Sequence, residues 1–324
     1  MRHRETLLVF CFLIFACLSA VAQESSVKSY ENIPYKIVGN GRPVLLDIFL
    51  PKTPGVNDSF PVAMIIHGGG WVAGDKSLDS IYYMKKLKAE LLDSGFAVIS
   101  IDYRLAGKDV HLQALVEDCK DAIRWVRGNA DKYHLSGNSI GLWGGSAGGH
   151  LALLAAYSDD SAWTSDTTLA RYSSKVNCVV DNFGPTDLNL LFRTGISKFP
   201  LFFARIFFRK LLAIRDPLLY ALTGYDIDSN KKEVGAAASC YSPLRYVDTQ
   251  PVPTFILQGT RDKVVPFKQS ALLQKALSEK HVGNRLLRVS KGDHGFNNIS
   301  RRQIDDLVKQ TAAFMKEHEV KSRE

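Results

Sequence analysis

Short apolar runs alternate along the chain with longer stretches in which apolar positions recur every three or four residues. The runs at 44–50, 62–66 and 97–101 predict strands, while 80–92 and 112–127 carry the helical period. A strand at 140–143 leads directly into a helix at 147–157. Further on, strands are expected at 176–180, 254–257 and 285–289, with helices at 268–278 and 303–316. This β–α alternation implies an α/β fold, a mostly parallel sheet with helices on both faces. In such sheets ligands sit beyond the carboxyl ends of the strands, so those are the places to search for chemistry.

One stretch breaks the rhythm. Residues 190–222 are rich in Phe, Leu and Arg at irregular helical spacing, where an open sheet accepts a small helical cap, here about 188–236. Three readings stay open for it: ordinary covering helices, a lid over a site, or contact with an anionic membrane surface.

The beginning of the chain follows a different logic. Arg2 and Arg4 precede an apolar run at 7–18, and Ala20-Val21-Ala22 supplies a small-x-small cleavage signal. That order reads as a signal peptide over residues 1–22, leaving a domain at 23–324 and placing the protein in the periplasm or outside the cell. The run is short for an uncleaved anchor. Cys17, preceded by Ile14-Phe15-Ala16, loosely resembles a lipoprotein signal and offers lipid anchoring as a second reading.

Composition adds little beyond exclusions. Hydrophobic content of 46% and charged content of 23% fit a globular chain with a sizeable core, and no repeat or disorder signal is present. The net charge of +8 is spread out, denser only at Lys85-Lys86-Lys88 and around 205–215, which argues against a nucleic-acid partner. Cys119, Cys178 and Cys240 have no metal-ligand spacing. They read as buried thiols, with one bridging pair as the alternative.

The chemistry is concentrated in glycine-rich stretches. The pattern G-x-S-x-G occurs twice in succession, around Ser139 and around Ser146. A nucleophile elbow needs a strand, a tight turn and then a helix, which sets the hydroxyl at the strand's carboxyl end. Ser146 meets all three conditions. Ser139 precedes the strand and reads as part of a Gly- and Asn-rich turn. "IIHGGGW" follows the strand at 62–66 and supplies backbone N–H groups suited to an oxyanion. The expected donors are Gly69 and Gly70, with Gly68 as the other possibility, together with Ala147. Walker and dinucleotide patterns are missing, so a phosphate cradle is disfavoured.

A serine nucleophile requires a base and an acid that orients the base. Asp262 falls just beyond the strand at 254–257, and His294 just beyond that at 285–289. Asp293 adjoins the histidine and cannot easily turn back onto its ring. Asp181 and Asp187 come earlier in the chain, and His150, one helical turn past Ser146, reads as a packing residue. The order Ser, Asp, His is that of α/β-hydrolases.

With "HGGGWVAGDK", "SIDYRLA", "GLWGGSAGGHLALLAA", "FGPTDL", "LQGTRDKVVPF" and "KGDHGF" in place, the chain resembles the α/β-hydrolase superfamily over residues 60–296. Within it the chain looks like bacterial esterases related to feruloyl and acetyl esterases, with kinship to hormone-sensitive-lipase-like carboxylesterases. The resemblance implies Ser146 as nucleophile, His294 as base, Asp262 as its partner, and Gly69, Gly70 and Ala147 as oxyanion donors. It implies a structural role for Asp102, Tyr103 and Arg104, and leaves Trp71 as either a substrate-pocket wall or a packed aromatic. No metal or organic cofactor is implied, and the substrate is a small-molecule or polysaccharide-linked ester. An amidase, peptidase or arylformamidase on the same triad, and a silent binding protein on the same fold, are the rival readings.

Overall fold

Alternate residues of the central strands feed two separate cores, which is why those strands read as continuous apolar runs. In β3 (Phe60–Ile66), Val62, Met64 and Ile66 enter one core while Ala63 and Ile65 enter the other. β4 (Ala97–Ile101) divides in the same way, with Ile99 and Ile101 on the first side and Val98 on the second. The structure is a computed structural model that describes residues 28–39, 41–52, 59–195 and 209–320. The expected signal peptide at 1–22, including Cys17, lies outside the described residues.

Among the described residues, eight strands form one sheet: β1 (Ser29–Val38), β2 (Arg42–Phe49), β3, β4, β5 (Leu135–Gly145), β6 (Cys178–Asn182), β7 (Thr254–Gly259) and β8 (Asn284–Val289). Their spatial order is β1-β2-β4-β3-β5-β6-β7-β8. Pairing is antiparallel between β1 and β2 and between β2 and β4, and parallel everywhere else. Helix α1 (Tyr82–Asp93) and helix α8 (Arg301–Glu317) contribute to the second core. On the opposite face, α2 (Leu112–Gly128), α3 (Ala147–Tyr157) and α7 (Lys268–Glu279) contribute to the first. A capping box starts α8 two residues before the expected position, with Ser300 accepting from the Gln303 N–H and Gln303 reaching back to the Ser300 N–H.

Between β6 and β7 the chain makes an excursion carrying α4 (Leu188–Phe192), α5 (Arg209–Thr223) and α6 (Lys231–Cys240). The cap expected at 188–236 falls on this excursion, and residues 196–208 of it lie outside the described residues. Its near end is tied to α7 by Gln269, whose Oε1 accepts from the N–H groups of Thr186 (2.9 Å) and Asp187 (2.8 Å). Its far end is held by Ser242, which accepts from the Leu188 N–H at 2.9 Å.

Strand β1 is absent from the sequence-based expectations. It is an edge strand interrupted by register shifts on either side of Ile33 and Pro34, with Asn32 at φ +56°, and so shows no clean alternation. Buried ion pairs anchor it: Lys36 Nζ sits 2.7 Å from Asp118 and 2.8 Å from Asp121, both on α2. Arg124 closes on Asp121 at 3.0 Å, and Arg104 on Asp118 at 2.8 Å.

Strand β5 corrects a second expectation. It begins at Leu135, five residues before the predicted start, and Ser139 lies inside it. Between the pairs Phe60–Leu135 and Val62–Ile140 the two strands fall out of register, and the polar bulge on β5 looks like a turn in sequence. Ser139 is buried, its hydroxyl accepting from the Val320 N–H at 3.0 Å. Cys119 and Cys178 are buried free thiols, and Cys240 is a half-buried one.

Candidate active site

Four parallel strands deliver the candidate residues to one edge of the sheet. The glycine loop leaves β3, Ser146 leaves β5, Asp262 leaves β7 and His294 leaves β8, each just past the carboxyl end. Ser146 itself has φ +55° and ψ −119°, a backbone state that costs a non-glycine residue on the order of 1–3 kcal/mol. The sharp bend lets α3 begin immediately, with its start pressed against β3. A Cβ on Gly148 would lie 2.1 Å from the Ile66 carbonyl oxygen, so only glycine fits there.

Asp262 is buried, and each of its oxygens is occupied. Oδ1 accepts from the N–H groups of Val264 and Val265, both at 2.8 Å. Oδ2 accepts from Gln258 Nε2 at 3.0 Å and from His294 Nδ1 at 2.8 Å. Burial pushes the carboxyl pKa up, but the bonds from His294, Val265 and Val264 outweigh it and leave the group below its ordinary value. An ionised carboxylate can only accept, so Nδ1 of His294 carries a hydrogen, and in the neutral ring Nε2 is then the bare nitrogen. Nε2 faces Ser146 Oγ at 2.8 Å, in position to accept its proton. Phe183 packs against the His294 ring, with centroids 4.7 Å apart.

The glycine loop lies against this group: a Cβ on Gly68 would be 3.5 Å from Ser146 Cβ. The loop is folded back on itself by bonds from the Ala73 and Val72 N–H groups to the Gly69 carbonyl, at 3.0 and 3.3 Å. Gly69 has φ +115°, and a Cβ there would strike Ala73 O at 2.0 Å. Among the described residues, the amides of Gly68, Gly69 and Gly70 donate to no protein acceptor. His67 braces the start of the loop, its Nδ1 2.7 Å from the Gly68 oxygen and its ring stacked on Tyr103 at 4.2 Å. Tyr103 in turn donates to the His67 carbonyl at 3.0 Å, and Asp102 accepts from the Lys76 N–H at 2.8 Å. Asp102 and Tyr103 therefore hold the loops around the site, while Arg104 is tied to Asp118 on α2.

Trp71 is packed inside, only 3% exposed, with its indole N–H donating to His150 Nδ1 at 3.2 Å. Asp293, Asp181 and Asp187 are all engaged elsewhere: Asp293 accepts from the Asn297 N–H, Asp181 from Gly184, and Asp187 caps α4 through the Leu190 N–H. Gln258 and Phe183 are additions that sequence reasoning does not supply. Gln258 lies four residues before Asp262 in a buried strand, where nothing in a single sequence separates a carboxylate-holding amide from an ordinary buried polar residue.

Chemically, the arrangement couples a hydroxyl to a proton acceptor whose tautomer is set by a carboxylate, beside undirected backbone N–H groups. A family profile described as BD-FAE matches residues 46–277. The chain is 26% identical over 282 residues to esterase LipC of Mycobacterium tuberculosis, covering 86% of this chain and 63% of LipC. It thus spans less than two thirds of that relative's length. A truncated carbohydrate esterase from gut microbiota superposes with a TM-score of 0.68 at 25% identity, covering 91% of this chain and 98% of the other. A bifunctional GH43-CE protein of Bacteroides eggerthii gives a TM-score of 0.66 at 28% identity, over 90% of this chain and 38% of that one. These neighbours place the sheet and its helices in the α/β-hydrolase fold.

Proposed function

The chain belongs to the BD-FAE family, and on that premise we propose that it is a serine carboxylic-ester hydrolase working through an acyl-enzyme on Ser146. One observation carries the reading: the unbroken chain of 2.8 Å contacts from Ser146 Oγ through His294 to Asp262, set beside the glycine loop. In this reaction Ser146 Oγ attacks the ester carbonyl carbon while Nε2 of His294 takes its proton. The carbonyl oxygen becomes an oxyanion, met by the N–H groups of Gly69, Gly70 and Ala147. Collapse breaks the bond to the alcohol, which leaves with the proton from His294. Asp262 stabilises the imidazolium between these steps. Water then gives a proton to His294 and attacks the acyl carbon. The bond to Ser146 Oγ breaks as His294 returns the proton to that oxygen, releasing the acid and restoring Ser146.

The substrates within this proposal are acetyl or feruloyl-type esters of carbohydrates. The likeness to carbohydrate esterases supports that choice, as does the export implied by residues 1–22. The test is hydrolysis of p-nitrophenyl acetate by wild type and Ser146→Ala. Equal rates would refute the mechanism, and a panel of acetylated and feruloylated polysaccharides, scored for released acetate or ferulate, tests the substrate. The mass of the mature N-terminus tests processing after Ala22.

A further inference from the structure

A second hydrogen-bonded chain, from Trp71 through His150 to Tyr241, lies beside the Ser146–His294–Asp262 chain and takes no part in its proton transfers. Trp71 ends the glycine loop at φ +66°, a backbone state that a bulky residue keeps only when its surroundings hold it there. Its indole N–H can only donate, so His150 Nδ1, 3.2 Å away, must be the acceptor and carry no hydrogen. The hydrogen therefore resides on Nε2, which donates to the Tyr241 carbonyl at 2.7 Å. Burial holds the ring neutral, pushing its pKa down to about 4 against the opposing pull of that carbonyl. His150 sits one turn into α3, its own N–H donating to the Ser146 carbonyl at 3.1 Å. Tyr241 directly follows α6. One ring thus joins the end of the glycine loop, the first turn behind Ser146 and the end of the excursion.

We propose that His150 is a positioning residue that clamps Trp71, and with it the glycine loop, against α3, so that the Gly69 and Gly70 amides are in place before an oxyanion develops. This rests on the esterase reading above. Preorganised donors act because no energy is needed to gather them during the reaction. Losing a single donor of this kind costs about 100- to 1,000-fold in kcat, so loosening the loop that carries two of them should cost roughly tenfold.

The experiment compares Trp71→Phe, His150→Phe, their double variant and His150→Asn with wild type, on p-nitrophenyl acetate. Active sites are counted with a fluorophosphonate, and affinity for phenylboronic acid, a tetrahedral adduct former, is measured alongside. Each Phe variant should lose about tenfold in kcat and a similar factor in boronate affinity, with KM within about twofold. The double variant should be no worse than either single one, because both break the same chain. His150→Asn, whose amide oxygen can stand in for Nδ1, should recover most of the loss. Unchanged kcat and boronate affinity in Trp71→Phe overturns the proposal, even where His150→Phe fails to fold. A rise in KM alone also overturns it, since that is the behaviour of a pocket wall. Wild type that neither hydrolyses the ester nor reacts with the fluorophosphonate at Ser146 overturns the esterase reading and this inference together.

Discussion

Replacing Asp181 with an asparagine should change how stability depends on pH. Asp181 lies in β6, fully buried, with Oδ1 accepting from the Gly184 N–H at 2.9 Å and Oδ2 without a partner among the described residues. It is pressed so closely on the Ser146 helix that a Cβ on Gly149 would come within 2.5 Å of Oδ1. Burial pushes its pKa up from 3.8 to about 8, with only the Gly184 N–H opposing. Between those values the native state keeps a proton that the unfolded chain has released, so unfolding becomes easier as pH rises. Each pH unit in that window costs about 1.4 kcal/mol, so wild type should lose roughly 2.7 kcal/mol of stability between pH 5 and pH 7 from this group. Over the whole interval the ceiling is on the order of 6 kcal/mol. Above pH 8 both states are ionised and the slope vanishes. The substituted amide would keep an oxygen for Gly184 but never ionise, so Asp181→Asn should come nearest to wild type at pH 4.5 and gain on it increasingly toward pH 8. Guanidinium unfolding of both proteins at pH 4.5, 5, 6, 7 and 8.5 reads the difference directly. If the two stability curves run parallel, Asp181 titrates alike in both states and the argument from burial fails.

Asp262→Asn should place an amide N–H against His294 Nδ1, forcing the ring hydrogen onto Nε2, where it faces Ser146. A loss of kcat on the order of 10,000-fold, with fold retained by circular dichroism, is the expected result. Lys36→Met leaves Asp118 and Asp121 buried with one fewer cation and should cost about 3 kcal/mol in guanidinium unfolding, while a cost under about 0.5 kcal/mol would mean Arg104 and Arg124 suffice. Ser139→Ala removes the acceptor for the Val320 N–H, so it should cost about 1 kcal/mol of stability while ester turnover holds. Comparable losses of turnover from Ser139→Ala and Ser146→Ala would undo the placement of the site at the far end of β5.

The legible parts of this molecule are those in which one local signal has one cause. The bounds of β4 and α3 follow from apolar runs closed by turn residues, and Ser146, Asp262 and His294 stand out because each follows a strand in a parallel sheet. Strand β1 escapes because Pro34 and its register shifts erase the alternation, and its attachment depends on Lys36 meeting α2 some eighty residues later. Ser139 is misplaced for a related reason. A bulge has the composition of a turn, and only its partner strand tells them apart. His150 reads as packing, and it is buried, but the bonds that fix its tautomer come from Trp71 and Tyr241, both distant in sequence.

The ties at Gln269 and Ser242 also bear on how this chain can be rebuilt. Residues 188–240 depart after Thr186 and Asp187 and end at Tyr241, and main-chain groups meet Gln269, Ser242 and His150 at those seams. The side chains of Leu188, Phe192, Leu219, Leu222, Val234 and Ala238 belong to the first core, with the Phe192 ring lying 6.2 Å from that of Trp71. Main-chain groups are supplied by any sequence that follows the same path. A foreign segment joined at these two points would keep Gln269, Ser242 and His150 satisfied. To leave Trp71 and the residues around Ser146 as they are, it must also refill the apolar positions of Leu188, Phe192, Leu219, Leu222, Val234 and Ala238.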